Sequence, residues 1–145
     1  MKLEFQEKKE IKEVEVSVLY GIWDEEVEQI KNSLQKMGKY LSGDENGRQY
    51  RIPVYSIYYI ESMERKTFIY TKNEVYCSRR SLNETMKNLP ETDFVQISKS
   101  CALNINMLKS VRVLPNSKLE ALLANEEKVI VTRNYLKRIR EKLEG

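Results

Sequence analysis

The most informative stretch of the chain is FVQISKSCALNI, residues 94–105. Residues 94–97 are mostly apolar and predict a short strand. The triplet Ser98-Lys99-Ser100 then brings two hydroxyls and one cation together, and apolar side chains return on either side of Asn104. The stretch therefore predicts a short strand that leads into a polar loop.

From Tyr50 onward the surrounding sequence is rich in branched and aromatic residues, which favour strands. The predicted strands occupy residues 51–62, 65–73, 74–79, 94–97, 111–114, 118–123 and 128–131. Two helices are predicted in the same region, residues 81–89, with Ser81 as N-cap and Pro90 as the stop, and residues 134–143. The predicted fold class is mainly β with short helices.

The beginning of the chain has a different pattern. Val14, Val16 and Val18 alternate with polar or charged residues, which predicts a half-buried strand. From Trp23 onward the apolar residues fall three or four positions apart, which predicts an amphipathic helix with Asp24 as its N-cap. The mainly β region is therefore preceded by a strand-helix segment.

A linker is predicted between the two parts, because residues 42–49 place two glycines among polar side chains. We divide the chain into the strand-helix segment, residues 1–45, and a domain, residues 50–145. One strand and one helix bury too little apolar surface to be stable alone. The segment is thus a candidate dimerisation or regulatory element.

Composition narrows the functional classes. Hydrophobic residues make up 41% of the 145 residues and charged residues 32%, as in a globular protein. The chain has no apolar run of the roughly 18 to 20 residues that a membrane span needs, and no signal-peptide pattern, so we expect a cytoplasmic location. With two cysteines and no histidine, zinc sites built on both residue types and His-dependent catalysis are excluded. We expect no enzymatic activity, metal, cofactor or small-molecule substrate.

The charge is unevenly distributed. Residues 1–50 hold eight Lys and Arg against eleven Asp and Glu, a net charge of −3, whereas residues 51–145 hold 17 against 11, a net charge of +6. Such an excess of cations in one part favours a polyanionic partner for that part.

Five strings in the second part of the chain resemble one family. They are Ile57-Tyr58-Tyr59-Ile60-Glu61-Ser62, Arg65-Lys66-Thr67, Leu89-Pro90 with FVQISKS at 94–100, Leu103-Asn104-Ile105, and Val131-Thr132-Arg133-Asn134-Tyr135. Their order and spacing over residues 52–143 are similar to those of the LytTR family of bacterial DNA-binding domains. The resemblance implies an elongated fold of small stacked β-sheets, whose loops enter successive major grooves on one face of double-stranded DNA.

The resemblance also implies which loops contact DNA. One carries Lys99 between the hydroxyls of Ser98 and Ser100, a group able to bond a phosphate and a base edge together. The family often has a His-Arg-Ser type triplet there, and since this chain lacks histidine, its base reading is expected to differ in detail. A second loop carries Arg133, whose guanidinium can form two hydrogen bonds with guanine. Asn134 follows it directly.

The third implied loop contains Arg65, Lys66 and Thr67, where long cations project from a turn. Lys137 is a further candidate contact, although it shares its helix with other cations that a solvated face also explains. Asn104 is expected to fix its own loop rather than to touch DNA.

Structural alternatives remain for the same residues. Ser98 and Ser100 could bond only within their turn, Lys99 could be merely solvated, and residues 65–67 could form a plain hairpin turn. Arg133 could pair with a carboxylate such as Glu127.

The expected partner is double-stranded DNA, bound by a homodimer. Residues 1–45 are too few for the receiver that usually precedes such a domain, so we expect them to make a dimer contact or to receive a partner. The resemblance also suggests a small membrane protein as a regulator. The rival hypothesis is an interaction module that keeps the fold but does not bind DNA.

Overall fold

The computed structural model describes residues 1–12 and 14–144, and ten strands and three α-helices lie in this part of the chain. Glu13, in the predicted N-terminal strand, and Gly145, the last residue of the predicted domain, lie outside the described residues. The strands are β1 Tyr40–Glu45, β2 Arg48–Pro53, β3 Tyr59–Met63, β4 Lys66–Tyr70, β5 Val75–Ser78, β6 Phe94–Ser98, β7 Cys101–Asn104, β8 Leu108–Leu114, β9 Lys118–Leu123 and β10 Lys128–Val131. The helices are α1 Glu25–Lys36, α2 Leu82–Met86 and α3 Leu136–Glu144.

The strands form two antiparallel sheets. The large sheet has seven strands in the order β2-β1-β5-β4-β3-β7-β6, and the small sheet has three in the order β10-β9-β8. The prediction of a mainly β fold with short helices is therefore confirmed. No helix in the described part of the chain is long and apolar enough to cross a membrane.

Two apolar cores lie on opposite faces of β6 and β7. The first core joins the large sheet to α2 and includes Leu41, Ile52, Val54, Ile57, Ile60, Ile69, Leu82, Leu89, Phe94 and Ala102. The second core joins β6 and β7 to the small sheet and α3, and includes Tyr58, Val95, Ile97, Cys101, Leu103, Leu119, Ala121, Leu123, Val131 and Ile139. Because successive strand residues point to opposite faces, β6 and β7 contribute to both cores. The whole of β7 is consequently buried.

Local sequence signals explain several elements. Ser81 caps α2 by accepting a hydrogen bond from the Glu84 amide at 3.2 Å, and Asp24 caps α1 by accepting one from the Val27 amide at 3.0 Å. Both predicted caps are confirmed. The predicted strands at 118–123 and 128–131 are confirmed as β9 and β10.

The predicted N-terminal strand is wrong for the described residues around Val14, Val16 and Val18. No strand forms there, and the three valines are 93%, 62% and 38% exposed. An alternating pattern makes a strand only when a neighbouring strand takes up the backbone hydrogen bonds, and none of the strands in the described residues pairs with this segment.

The predicted linker at residues 42–49 is also wrong, because this segment lies in the β1–β2 hairpin at the edge of the large sheet. Asn46 and Gly47 both have positive φ, 52° and 79°, as a tight type I′ hairpin turn requires. Gly43 is needed for packing, since a Cβ there would lie 2.7 Å from Ile52 Cδ1. These glycines shape a hairpin and do not confer flexibility.

Helix α1 stands apart from both cores. Val27 is buried and Ile30 and Leu34 are half-buried, but neither core includes a described residue of this helix. Trp23, just before the helix, is 48% exposed and donates a hydrogen bond from Nε1 to Glu28 at 2.7 Å.

Candidate nucleic-acid interface

Two of the predicted loops are neighbours at one end of the large sheet. The β3–β4 turn holds Glu64 and Arg65, and the β6–β7 turn holds Lys99. The Ser62 amide donates a hydrogen bond to the Ser100 carbonyl at 2.7 Å, which joins the two turns. The antiparallel pairing of β3 with β7 therefore brings cations 34 residues apart in sequence to the same end of the sheet.

The β3–β4 turn has an unusual backbone. Glu64 and Arg65 have positive φ values of 50° and 68°. This left-handed conformation costs energy for residues with a Cβ, and it is normally occupied by Asn and Gly in such turns. The turn exposes Arg65 and the adjacent Lys66 to solvent.

Thr67 does not lie on this surface. Its side chain is completely buried, and Oγ1 donates a hydrogen bond to the Arg80 carbonyl at 2.7 Å. The prediction that Thr67 contacts DNA is replaced by a structural role, because a buried hydroxyl with a partner cannot reach a ligand outside.

The Ser98-Lys99-Ser100 turn is held by bonds of its own. Ser98 Oγ accepts a hydrogen bond from the Ser100 amide at 3.3 Å, and Gln96 Nε2 donates one to the Lys99 carbonyl at 3.4 Å. Lys99 is exposed between the two serines. The Ser98 hydroxyl thus makes the turn bond that was the alternative to a DNA contact, while Lys99 is free to project.

Arg133 reaches the same end of the sheet from the second sheet. The Thr132 amide donates a hydrogen bond to the Ile97 carbonyl at 2.9 Å, which places the end of β10 beside the end of β6. Arg133 and Asn134 are both exposed in the short 3-10 turn that leads into α3. The alternative pairing of Arg133 with Glu127 is not formed, since Glu127 faces the hydroxyl of Tyr59. Burial and this carboxylate together raise the pKa of Tyr59.

The cations of α3 are not equivalent. Lys137, in the first turn of the helix, is exposed and follows closely on Arg133. The Arg138 guanidinium lies 5.5 Å from the centre of the Tyr135 ring, and Lys142 Nζ donates a hydrogen bond to the Glu91 carbonyl at 2.7 Å. Lys137 is therefore the helix cation best placed to extend the surface around Arg133.

Arg79 and Arg80 are cations that the sequence analysis missed. Thr67 of β4 pairs with Ser78 of β5, so Arg79 follows β5 beside the beginning of β4 and Lys66. Both arginines are exposed. The sequence could have indicated them, because they stand between the end of a predicted strand and the helix cap Ser81, where the chain leaves the sheet.

We call this end of the large sheet the basic end. It carries six exposed cations: Arg65, Lys66, Arg79, Arg80, Lys99 and Arg133. None of the six pairs with a carboxylate in the part of the chain that the structure describes. Cations without carboxylate partners repel one another and attract a polyanion.

Asn104 fixes its own loop from inside, as predicted, at the end of β7 that lies away from the basic end. It is buried, its Nδ2 donates to the Ile57 carbonyl at 2.8 Å, and its Oδ1 accepts from the Asn106 amide at 3.0 Å. The side chain thus ties the end of β7 to the segment before β3.

Cys101 lies directly after the Lys99 turn and is buried. Burial, with Glu61 nearby, raises the pKa of its thiol to about 12. The thiol is therefore protonated at neutral pH and is not a reactive nucleophile beneath the loop.

Comparisons with known proteins identify the family of this chain. Residues 47–144 match the family model of the LytTr DNA-binding domain. The chain is 32% identical over 96 residues to the sensory transduction protein LytT of Enterococcus faecalis, covering 66% of this chain and 40% of the relative. It is 29% identical over 90 residues to the transcriptional regulatory protein YpdB of Escherichia coli K12, covering 61% of this chain and 37% of the relative. The chain thus spans about two-fifths of the length of these curated relatives.

The fold has a counterpart among solved structures. The LytTr DNA-binding domain of a methyl-accepting/DNA response regulator from Bacillus cereus superposes with a TM-score of 0.69 at 21% identity. The match covers 74% of this chain and 98% of that domain. On the family match over residues 47–144, the chain belongs to the LytTr DNA-binding domain family.

Proposed function

We propose that this chain is a transcriptional regulator that binds double-stranded DNA sequence-specifically through its basic end. The observation that carries the proposal is the convergence of exposed, unpaired cations from four separate segments on one end of the large sheet. Cations that neutralise phosphates provide most of the affinity of such an interface, and fewer contacts to base edges provide its specificity.

The dimensions of the basic end suit two kinds of contact. Arg79 follows β5 and Arg133 lies beside the end of β6, and these two strands are separated by four strand-to-strand steps, which is about 19 Å at the usual spacing of strands. A major groove is about 12 Å wide. The basic end is thus wider than one major groove, so that Lys99 and Arg133, on its β6 side, can enter a groove while the cations nearer β5 meet the phosphate backbone.

We assign the base-reading role to Arg133 and Lys99, which lie in turns held by the Thr132–Ile97 backbone hydrogen bond and by the bond from the Gln96 side chain to the Lys99 carbonyl. Arg65 and Lys66 would contact phosphates from the β3–β4 turn. The further contacts proposed around these loops are Ser98, Ser100, Asn134 and Lys137.

We further propose that the regulator acts in the cytoplasm as a homodimer, with residues 1–45 as the contact region. The exposed apolar side chains before α1 and the separation of α1 from both cores support an interaction role for this segment. Restraint by a small membrane protein is a proposal that rests on the family resemblance alone.

The test is selection of bound duplexes from a random pool by the full chain, followed by sequencing and a salt titration of the selected duplex. We expect an enriched motif and a steep loss of affinity with salt. Arg133→Ala should weaken the motif, whereas Lys72→Ala, in the turn at the opposite end of β4, should not. Affinity no better than for random DNA at physiological salt would instead favour the rival, an interaction module that does not bind DNA.

A further inference from the structure

One edge of the small sheet is open. β8 has seven residues, and among the described strands its single neighbour is β9, so its outer backbone groups have no partner strand there. Five of its residues are exposed. An open strand of this length is a template on which another strand can pair.

The open strand also carries unpaired apolar surface. Val111 pairs across the sheet with Ala121, and Val113 pairs with Leu119, and both of these partners belong to the second core. Cross-strand partners share a face, so the two valines continue the core-facing side of the sheet beyond its edge. There they are 39% and 75% exposed. The apolar face of the small sheet therefore continues onto its edge strand, where it is exposed to solvent.

A segment with the complementary pattern lies unpaired elsewhere in the chain. We call residues 14–19 the N-terminal arm. Val14, Val16 and Val18 alternate with Glu15 and Ser17. The arm forms no strand and exposes 93% of Val14, 62% of Val16 and 97% of Leu19.

We propose that the N-terminal arm of one copy of this chain adds as a strand to β8 of a second copy. The proposal deepens the homodimer of the proposed function and gives it a structure, without depending on DNA binding. In a register that places arm valines opposite Val111 and Val113, Glu15 and Ser17 lie on the outer face with Arg112, whichever the strand direction. Main-chain hydrogen bonds would supply affinity and the alternating side chains would select the face.

Charge does not select this edge, because Lys109 and Arg112 of β8 already pair with Glu126 and Glu120. The choice of β8 rests on its length and on its exposed valines. The β2 edge of the large sheet is a less suitable site for strand addition. Its Tyr50 packs on Tyr76 at a ring distance of 5.3 Å, and the strand ends at Pro53, which has no amide hydrogen to donate.

A second copy is favoured over the same copy by the path of the chain. Within one copy, α1 leads into β1, and β1 lies four strands away from β7, which the small sheet covers. This separation is about 19 Å at the usual strand spacing. Two residues outside the arm already contact their own copy at or just before α1, with the Met1 amino group 3.9 Å from Glu26 and the Tyr20 ring 5.3 Å from Trp23. A second copy can present its β8 without bridging the large sheet.

The first experiment traps the contact between two copies. On a Cys77→Ser background, one preparation of the full chain carries Ser17→Cys and the other carries Ser110→Cys, both on the outer face. We expect the mixture to give a covalent heterodimer under mild oxidation, because directly opposite strand residues meet disulfide geometry. A mixture of Ser17→Cys with Gln49→Cys, on the β2 edge, is the control and should give little. Equal trapping at both edges would overturn the proposal.

The same copy is tested with Ser17→Cys and Ser110→Cys in one chain. A covalent monomer as the dominant product at low protein concentration would overturn the choice of a second copy.

The second experiment measures the dimer dissociation constant by sedimentation of the full chain. Val16→Pro removes an amide donor from an arm that packs in neither core, and Val113→Lys adds a charge to an exposed position of β8. We expect each to raise the dissociation constant about tenfold or more, whereas Val75→Lys, on the exposed side of β5, leaves it unchanged. A monomeric wild type, or a dimer that both variants preserve, would overturn the proposal, and duplex selection reports on DNA binding independently.

Discussion

At the scale of single residues, Arg133 offers a test of whether one side chain provides sequence specificity rather than affinity. Its position is set by the bond between the Thr132 amide and the Ile97 carbonyl, and its guanidinium has no carboxylate partner among the described residues. A planar guanidinium can give guanine two hydrogen bonds, whereas an ammonium offers the same charge without this geometry.

Arg133→Lys should therefore lower affinity for the selected duplex by about 1 to 3 kcal/mol and leave affinity for random duplex nearly unchanged. Fluorescence anisotropy with both duplexes at one salt concentration measures the two losses. The matched control is Arg65→Lys, the same exchange at a cation assigned to the phosphate backbone, which should leave both affinities nearly unchanged. Equal losses on both duplexes would show that Arg133 contacts only phosphate.

Cys101 gives a prediction about stability and pH. Burial raises the pKa of this thiol from 9.0 to about 12 in the folded protein. A group whose pKa is raised by folding binds its proton more tightly in the folded state. Its contribution to stability is complete below pH 9 and is lost as the pH rises towards 12, by at most about 1.4 kcal/mol per pH unit.

The measurement is urea unfolding of the wild type and Cys101→Ala between pH 7 and pH 10.5. The two stabilities should run parallel below about pH 8.5 and converge above it, because only the wild type holds a buried thiol proton to lose. A constant difference across the whole range would contradict this account.

At the scale of elements, the β3–β4 turn stores strain where the basic end projects. Glu64 and Arg65 occupy the left-handed conformation that Asn46 and Gly47 occupy in the β1–β2 turn. The same chain thus uses the favoured Asn-Gly pair at one hairpin and a charged pair at another. We infer that Glu64 and Arg65 occupy this turn because Arg65 contributes a cation to the basic end, although an Asn-Gly pair would be more stable there.

Glu64→Asn with Arg65→Gly should raise the free energy of unfolding by about 1 kcal/mol and weaken DNA binding. Chemical denaturation and duplex titration of the same preparation measure both effects. Glu64→Asn alone retains Arg65 and should keep the affinity. The reverse exchange, Asn46→Glu with Gly47→Arg, should destabilise the fold without affecting DNA. A turn variant that is less stable than the wild type would disprove the strain argument.

The elements that sequence reasoning predicted are those with local signals. The caps Ser81 and Asp24 and the alternation of β9 each lie within a few residues. β7 was missed because all four of its residues are buried on one face or the other, so it has no alternation. The N-terminal strand failed for the opposite reason, since its pattern is present and its neighbour strand is not.

The residues of the candidate site also fall into those that could be identified from the sequence and those that could not. Lys99, Lys66 and Arg133 could be named from the family resemblance, and the structure places them on one surface. Thr67 could not be sorted from its neighbours, because its burial depends on the pairing of β4 with β5. Arg79 was missed for the same cause, since it joins the surface only through that pairing.

At the scale of the whole molecule, the fold determines where the cations gather, and the net charge of the chain does not reveal it. The chain carries a net charge of only +3. Folding nevertheless gathers six unpaired cations at the basic end, while Lys109 and Arg112 on the small sheet are paired with Glu126 and Glu120 at 2.8 Å and 3.1 Å. A small net charge is therefore compatible with strong, salt-dependent attraction of a polyanion to one end.

Arg79 and Arg80 are suited to test this organisation, because only the pairing of β4 with β5 brings them to the basic end. Each phosphate contact contributes about 0.9 to the slope of log affinity against log salt concentration, so Arg79→Ala with Arg80→Ala should reduce the slope by about 2. Affinity should fall equally for the selected and random duplexes, since phosphate contacts carry no sequence information. Lys72→Ala with Lys128→Ala removes the same charge away from the basic end and should leave the slope unchanged. Equal slopes for the two double variants would show that total charge, rather than its placement by the fold, governs the attraction.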